Sequence, residues 1–452
     1  MTPDKPTSER DASSFRDNRG YVFWRGGEVY RQISPSGQAA YVQLMDGGLY
    51  EALVDAGWLV RHKDMGEGVI KPERVPVISY PYEWSFSQLK DAALLTLHVQ
   101  QLALERGMTL RDASAYNVQF VAGKAQLIDT LSFEPYTKGA PWVAYRQFCQ
   151  HFLAPLALMS RVDLDLLQLM RVHIDGIPLG LAAKLLPVKD RLNFGLVTHL
   201  NLHARFQTQH EGVEKKPKAD LSITAQRGLL DSLERTVKGL KLPKVQTQWG
   251  DYYENTNYSD SSFEEKKRMV DEFLALKEPK RVLDLGANDG SFSRIAAGRG
   301  ALVISCDIDP LAVERNFLQM KAAKETSLLP LLIDLTNPSP ALGWANTERS
   351  AFTERAQADT ALALALIHHL VIGANIPMGH VASYFATLAP RLIIEFVPKS
   401  DSQVKRLLAS REDIFPDYTP EGFEAAFSDR FRIAAQRPIA GTERILYLME
   451  VR

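Results

Sequence analysis

The chain has 452 residues, 45% hydrophobic and 24% charged, with 53 basic against 54 acidic side chains and a formal net charge of −1. That length exceeds the size at which one core usually keeps growing, so two domains are expected. The even charge balance excludes a strongly basic nucleic-acid binder, and Cys149 and Cys306 are too few and too distant for a disulfide framework or a zinc site, which points to a reducing, cytoplasmic setting.

Residues 1–19 carry charges throughout and no apolar run, and read as a flexible leader without a secretion or lipidation signal. Next, "GYVFWRGGEVYRQI" has the pattern of a hairpin and "YVQLMDGGLYEALVDAGWLV" that of a helix. Residues 86–210 read as mostly helical. Within them, "RDASAYNVQFVAGKAQLIDT" sets Asp112 five residues before Asn117 and places Asp129 at the end of an apolar strand.

A base followed by two metal-binding residues is the arrangement of protein kinases and aminoglycoside phosphotransferases. Residues 20–210 resemble that α+β kinase-like fold, with "VPVISYPYEW" as a hinge-like strand. The resemblance implies Asp112 as base and Asn117 and Asp129 as magnesium ligands. It departs from the family in lacking a full glycine-rich loop, a His before the Asp112 dipeptide and a Val-Ala-Ile-Lys strand. Arg31 stands in the lysine's place with Glu51 as its expected partner, and Arg is no equivalent substitute there. A degenerate recognition domain is therefore expected.

Residues 211–245 read as a linker and bridging helix: "EGVEKKPKADLS" is charged and proline-containing, and Leu229, Leu230, Leu233 and Val237 then recur at helical intervals up to Gly239 and Pro243. The second domain is expected over 246–452. It opens with Trp249, Tyr252, Tyr253 and Tyr258 ahead of an amphipathic helix. From Lys280 onward, short apolar strands alternate with helices, the signature of an α/β parallel sheet covered on both faces, and two strands without an intervening helix close the chain. No Lys, Arg, Asp or Glu occurs between Asp359 and Arg391, yet three histidines, Asn375, Gly373 and Pro377 there argue for a buried strand, turn and helix over a membrane span.

In "RVLDLGANDGSF" (281–292), Gly286 and Gly290 are separated by three residues, Asp284 precedes them at a strand end, and the loop itself supplies no Lys or Arg to meet a phosphate. This is neither a dinucleotide fingerprint nor a phosphate loop. The ligand expected is nucleoside-like and without a pyrophosphate. Asp307 and Asp334 end the next two strands, so three carboxylates should face the crevice at the carboxyl end of the sheet. The plainer alternative is that each acid caps the helix after it.

Residues 280–452 resemble a class I S-adenosylmethionine-dependent methyltransferase, a Rossmann-like seven-stranded sheet with an antiparallel final hairpin. By that resemblance, Gly286 and Gly290 face the methionine and ribose, Asp307 the ribose hydroxyls and Asp334 the adenine edge. Asp284 supports the loop or holds the ammonium, and Asn288 lines it. "ALIHHLVI" sets His368 and His369 where an acceptor would sit, as candidate general bases; the alternative is that they pack structurally. The Asn/Asp-Pro-Pro-Tyr/Phe segment of methyltransferases acting on exocyclic amino groups is missing there. Trp249, Tyr252, Tyr253, Tyr258, Glu395 and Lys399 are candidate acceptor-pocket residues. The two-part layout is similar to that of bacterial methyltransferases linked to nodulation. The expectation is a two-domain methyltransferase using S-adenosyl-L-methionine on a small-molecule acceptor, with no nucleic-acid partner and no membrane span. The alternatives are a bifunctional protein whose first domain is an ATP/magnesium phosphotransferase, and a cofactor-binding pseudoenzyme or scaffold.

Overall fold

A computed structural model describes residues 9–202, 221–243, 260–409 and 411–452. It divides into two units, residues 1–244 with 341–350, and residues 245–340 with 351–452.

In the first unit, strands β1 (Glu9–Arg10), β2 (Gly20–Arg25), β3 (Glu28–Ile33), β4 (His62–Asp64) and β5 (Val69–Pro72) form an antiparallel sheet in the order β1-β2-β3-β5-β4. The expected hairpin is β2 and β3, turning through Gly26 and Gly27 at positive φ. Residues 75–84 are not a strand but irregular chain with one turn of helix, Pro81–Glu83. Pro76 and Pro81 remove two donors a strand would need. The side chain of Gln119 takes the role of a neighbouring strand, accepting from Ser79 N at 2.8 Å and donating to Ser79 O at 2.9 Å.

The helix Phe86–Glu105 follows, capped by Ser85, which accepts from Gln88 N while the Gln88 side chain accepts from Ser85 N. Residues 108–135, expected within a mostly helical stretch, are four short strands: β6 (Met108–Leu110), β7 (Val118–Val121), β8 (Lys124–Leu127) and β9 (Phe133–Pro135), paired β6 with β9 and β7 with β8. The helix Ile223–Gly239, expected to bridge the domains, belongs to the first unit, with Leu230, Leu233 and Val237 buried and Lys90 Nζ donating to the carbonyl of Leu240. Residues 341–350 also belong to this unit. Buried Glu348 accepts from Arg16, the Arg349 guanidinium lies 4.4 Å from the Tyr116 ring centroid, and Ser350 N donates to Tyr80 Oη.

The second unit is built on a seven-stranded sheet of β10 (Arg281–Leu285), β11 (Leu302–Asp307), β12 (Leu328–Leu332), β13 (Thr360–Ala363), β14 (Arg391–Phe396), β15 (Phe431–Pro438) and β16 (Ile445–Val451). The order is β12-β11-β10-β13-β14-β16-β15; the first five run parallel, and β16 is antiparallel to both neighbours. Every residue of β13 and β14 is buried, as a parallel sheet covered on both faces requires. The order reverses at β10, so β11 and β13 flank it and leave a crevice at their carboxyl ends. No helix among the described residues is long and apolar enough to cross a membrane.

Two buried histidines of the first unit set an acid limit. Burial pushes His62 and His151 down to about 4. The unfolded chain therefore takes up protons that the folded chain refuses as pH drops below about 6.5, and stability is lost from there toward pH 4. The thermal midpoint should fall across that window, and His151→Phe should flatten the fall.

Candidate functional site

At the end of β10 the chain turns through Gly286 at φ 76° and Asn288 at φ 50°, and reaches Gly290 at φ 81°. A Cβ on Gly290 would come within 2.4 Å of Asn316 Oδ1, so both conformation and space demand glycine there. The N–H groups of Gly286 and Ala287 donate to the carbonyl of Cys306 on β11, holding the loop across the neighbouring strand.

Asp284 is fully buried and accepts from Ser293 Oγ at 2.6 Å. Burial pushes its carboxyl up to about 7. Asp307 is also buried. It accepts from Asn288 N at 2.7 Å and from Asp309 N at 2.8 Å, and burial pushes it up to about 6 against these donors. Neither acid caps the helix after it. Gly290 stands at the N-cap of Ser291–Gly298, and Asp309 caps Pro310–Ala323 by accepting from Leu311 N and Ala312 N. The capping alternative therefore fails for both. Asp334 lies two residues beyond β12 and accepts from Thr336 N and Oγ1, shaping a local turn.

These elements enclose a cavity of about 230 Å³ lined by Asp284, Gly286, Asn288, Asp307, Asp334 and His369, with Phe263, Phe292, Ile308 and Leu366 among its apolar wall. Gly290 shapes the loop without lining the cavity. His368 does not line it either: it is fully buried, its ring 4.0 Å from that of His369, and neither of its nitrogens has a hydrogen-bond partner among the described residues. Burial, then the nearby charge of Arg444, pushes His369 down to about 4, and His368 lies well below its ordinary value. Trp249, Tyr252, Tyr253 and Tyr258 lie outside the described residues.

Glu395 is not a cavity residue. It is fully buried between two cations, with Lys266 Nζ at 2.5 Å and Arg444 at 3.0 Å, and Arg444 also bonds Asp401 at 2.9 Å. Lys399 pairs with Asp413 away from the cavity. Lys266 both belongs to this chain of charges and lines the cavity, and sequence reasoning missed it. A signal was present. Positions 263, 266, 269, 270 and 273 share one face of the helix Asp260–Ala275, where Lys266 is the single charge among Phe263, Met269, Val270 and Phe273.

In the first unit, the β6/β9 and β7/β8 pairings together bring Asp112, Asn117 and Asp129 close. Asp112 accepts from Ser114 N, from Gln147 Nε2 at 2.8 Å and from Asn117. Burial and then the charge of Asp129 raise its carboxyl above the usual range. Arg31 does not pair with Glu51, which is exposed; it lies 2.5 Å from Asp129 and 2.7 Å from Asp17. Asp17, closer in the fold than in the sequence, replaces the expected partner. Among the described residues no three His, Cys, Asp or Glu side chains converge as for a metal ion.

No family model matches the chain. Nodulation protein NoeA of Rhizobium meliloti (strain 1021) is 37% identical over 464 residues, covering 98% of this chain and 97% of that protein. The chain belongs to the NoeA family. Likenesses to solved structures are slighter and fall below the level at which they carry fold or activity. The N-methyltransferase NodS of Bradyrhizobium japonicum WM9 is 11% identical with a TM-score of 0.33, over 43% of this chain and 98% of that one. Magnesium protoporphyrin IX methyltransferase of Synechocystis PCC 6803, with bound S-adenosylhomocysteine, is 21% identical with a TM-score of 0.33, over 45% and 92%. The bifunctional kinase-methyltransferase WbdD is 17% identical with a TM-score of 0.30, over 42% and 40%.

The buried charge chain of this NoeA-family member gives a direct test. Glu395→Gln removes the carboxylate that Lys266 and Arg444 share and leaves Arg444 bonded to Asp401. Denaturant unfolding of the second unit should show a loss of about 3–5 kcal/mol, the usual cost of stranding a buried charge.

Proposed function

We propose that the chain is an S-adenosylmethionine-dependent methyltransferase whose cofactor lies in the second unit's cavity and whose acceptor is a small molecule. One observation carries this reading: Asp284, Asp307 and Asp334, from the ends of three adjacent parallel strands, line a single cavity together with Gly286 and Asn288.

The residues suit the cofactor. Asp307 takes backbone donors from Asn288, Ile308 and Asp309 and, as a carboxylate, can also accept from ribose hydroxyls. Asp284 offers negative charge to an ammonium. The apolar wall, including Ile308, receives an adenine ring, with Asp334 at its edge. Bound there, the cofactor supplies an activated methyl group. The protein's share is to orient the acceptor in line with it and exclude water. His369, not His368, reaches the cavity, and as a neutral imidazole it can accept a hydrogen bond from the acceptor.

Calorimetry should show binding of both S-adenosylmethionine and S-adenosylhomocysteine, and Asp307→Ala should weaken each by about tenfold or more, the scale of a lost charge-assisted hydrogen bond. Binding of neither, or indifference to the substitution, overturns the reading. Protonation adds a signed expectation. In the free protein Asp284 and Asp307 hold protons below about 7 and 6 respectively, and the bound amino and hydroxyl groups favour the ionised carboxylates. Affinity should therefore rise by at least about tenfold from pH 5.5 to 7.5 and level off above, each pKa unit being worth a factor of ten.

The convergence of Asp112, Asn117 and Asp129 favours a second reading, in which the first unit is an ATP/magnesium phosphotransferase. The Arg31 side chain already neutralising Asp129 weighs against it. That reading requires ATP/magnesium binding that Asp129→Ala abolishes.

A further inference from the structure

Lys266 is the one side chain that both lines the cavity and belongs to the buried chain Lys266, Glu395, Arg444, Asp401. It is only 3% exposed, and its Nζ lies 4.7 Å from the centroid of the Phe292 ring, itself cavity wall. The groups facing it come from every side of the sheet's carboxyl end: Glu395 from β14, Arg444 at the entry to β16, Asp284 from β10, and His368 beyond β13. With both histidines neutral, the chain holds two cations against two carboxylates. A methyl donor brings a further fixed cation, the sulfonium, up to a lysine that is itself buried from water, where like charges repel strongly.

Resting on the methyltransferase reading, we propose that Lys266 is the proton acceptor of the transfer, its ammonium charge alternating with the sulfonium charge so that the cavity carries one of the two at a time. When the donor binds, Lys266 gives up a proton and stands as a neutral amine beside Glu395. The acceptor atom, bearing a hydrogen, attacks the methyl carbon. The new bond to carbon forms, the sulfur–carbon bond breaks with its electron pair going to sulfur, and the acceptor's proton passes to Lys266 Nζ. The sulfonium has become a neutral thioether and the amine an ammonium facing Glu395, so the charge of the site is unchanged.

Burial already holds Lys266 below the ordinary lysine range against the pull of Glu395, which brings the neutral amine within reach. His369, pushed down to about 4, is too weak a base for a hydroxyl or an amine acceptor. The acceptor class that follows is one whose attacking oxygen or nitrogen must lose a proton.

The test needs no acceptor. Calorimetry of the full chain at pH 7.5, in phosphate and in Tris, counts protons released as each ligand binds. S-adenosylmethionine and S-adenosylhomocysteine share every group that meets Asp284, Asp307 and Asp334, so their difference isolates the sulfonium. The wild-type protein should release up to about one proton more with S-adenosylmethionine, and Lys266→Met should erase that excess. Lys266→Arg, which cannot discharge, should lower affinity for S-adenosylmethionine relative to S-adenosylhomocysteine by about tenfold, and decides the matter if the Met variant does not fold. Equal proton counts in the wild type, an excess that survives Lys266→Met, or an unchanged affinity ratio in Lys266→Arg overturns the proposal. Failure to bind either ligand removes the methyltransferase reading with it.

Discussion

Lys266, Asp284, Asp307, Glu395 and Arg444 lie at the carboxyl end of the second unit's sheet with almost no access to water. Desolvation of that size is tolerated only where each charge meets a partner or gives up its ionisation. Both solutions occur side by side. Glu395 is clamped between two cations, whereas Asp284 and Asp307 are pushed up to about 7 and 6 and share protons with the solvent instead. The cavity sits at the junction of the two regimes, and Lys266 forms part of its wall from the paired side.

The parallel topology makes this junction possible. Because β10 lies between β11 and β13, the loops that leave all three open toward the same side, and the Asp307 carboxylate can reach back to Asn288 N across the strand gap. The antiparallel β16 then delivers Arg444 against Glu395 from the opposite chain direction. A sheet without that reversal would bring in the cation at the other end.

The first unit meets a similar demand with different residues. Asp129 is neutralised by Arg31, which also holds Asp17, and Asp112 takes hydrogen bonds from Ser114, Gln147 and Asn117. Its acidic loop finds these partners within the unit.

The strand ends, the glycines and the three acids of the second unit were legible from sequence because each depends on neighbours a few residues away: alternation of strand and helix, positive φ at Gly286 and Gly290, an acid closing an apolar run. The hinge-like strand over 75–84 was misread because prolines and one distant glutamine, not local propensity, decide that segment. Likewise the sequence could not say that His369 faces the cavity while His368 turns away, since adjacent residues differ only by how the chain winds after β13. The partners of Glu395 come from positions 266 and 444, and those of Arg31 from positions 17 and 129. Periodicity and spacing determine which side chains stand at the end of an element. Which of them share a buried charge is decided only when the elements pack, because electrostatic energy in a dry interior depends on distances through space that local sequence does not encode.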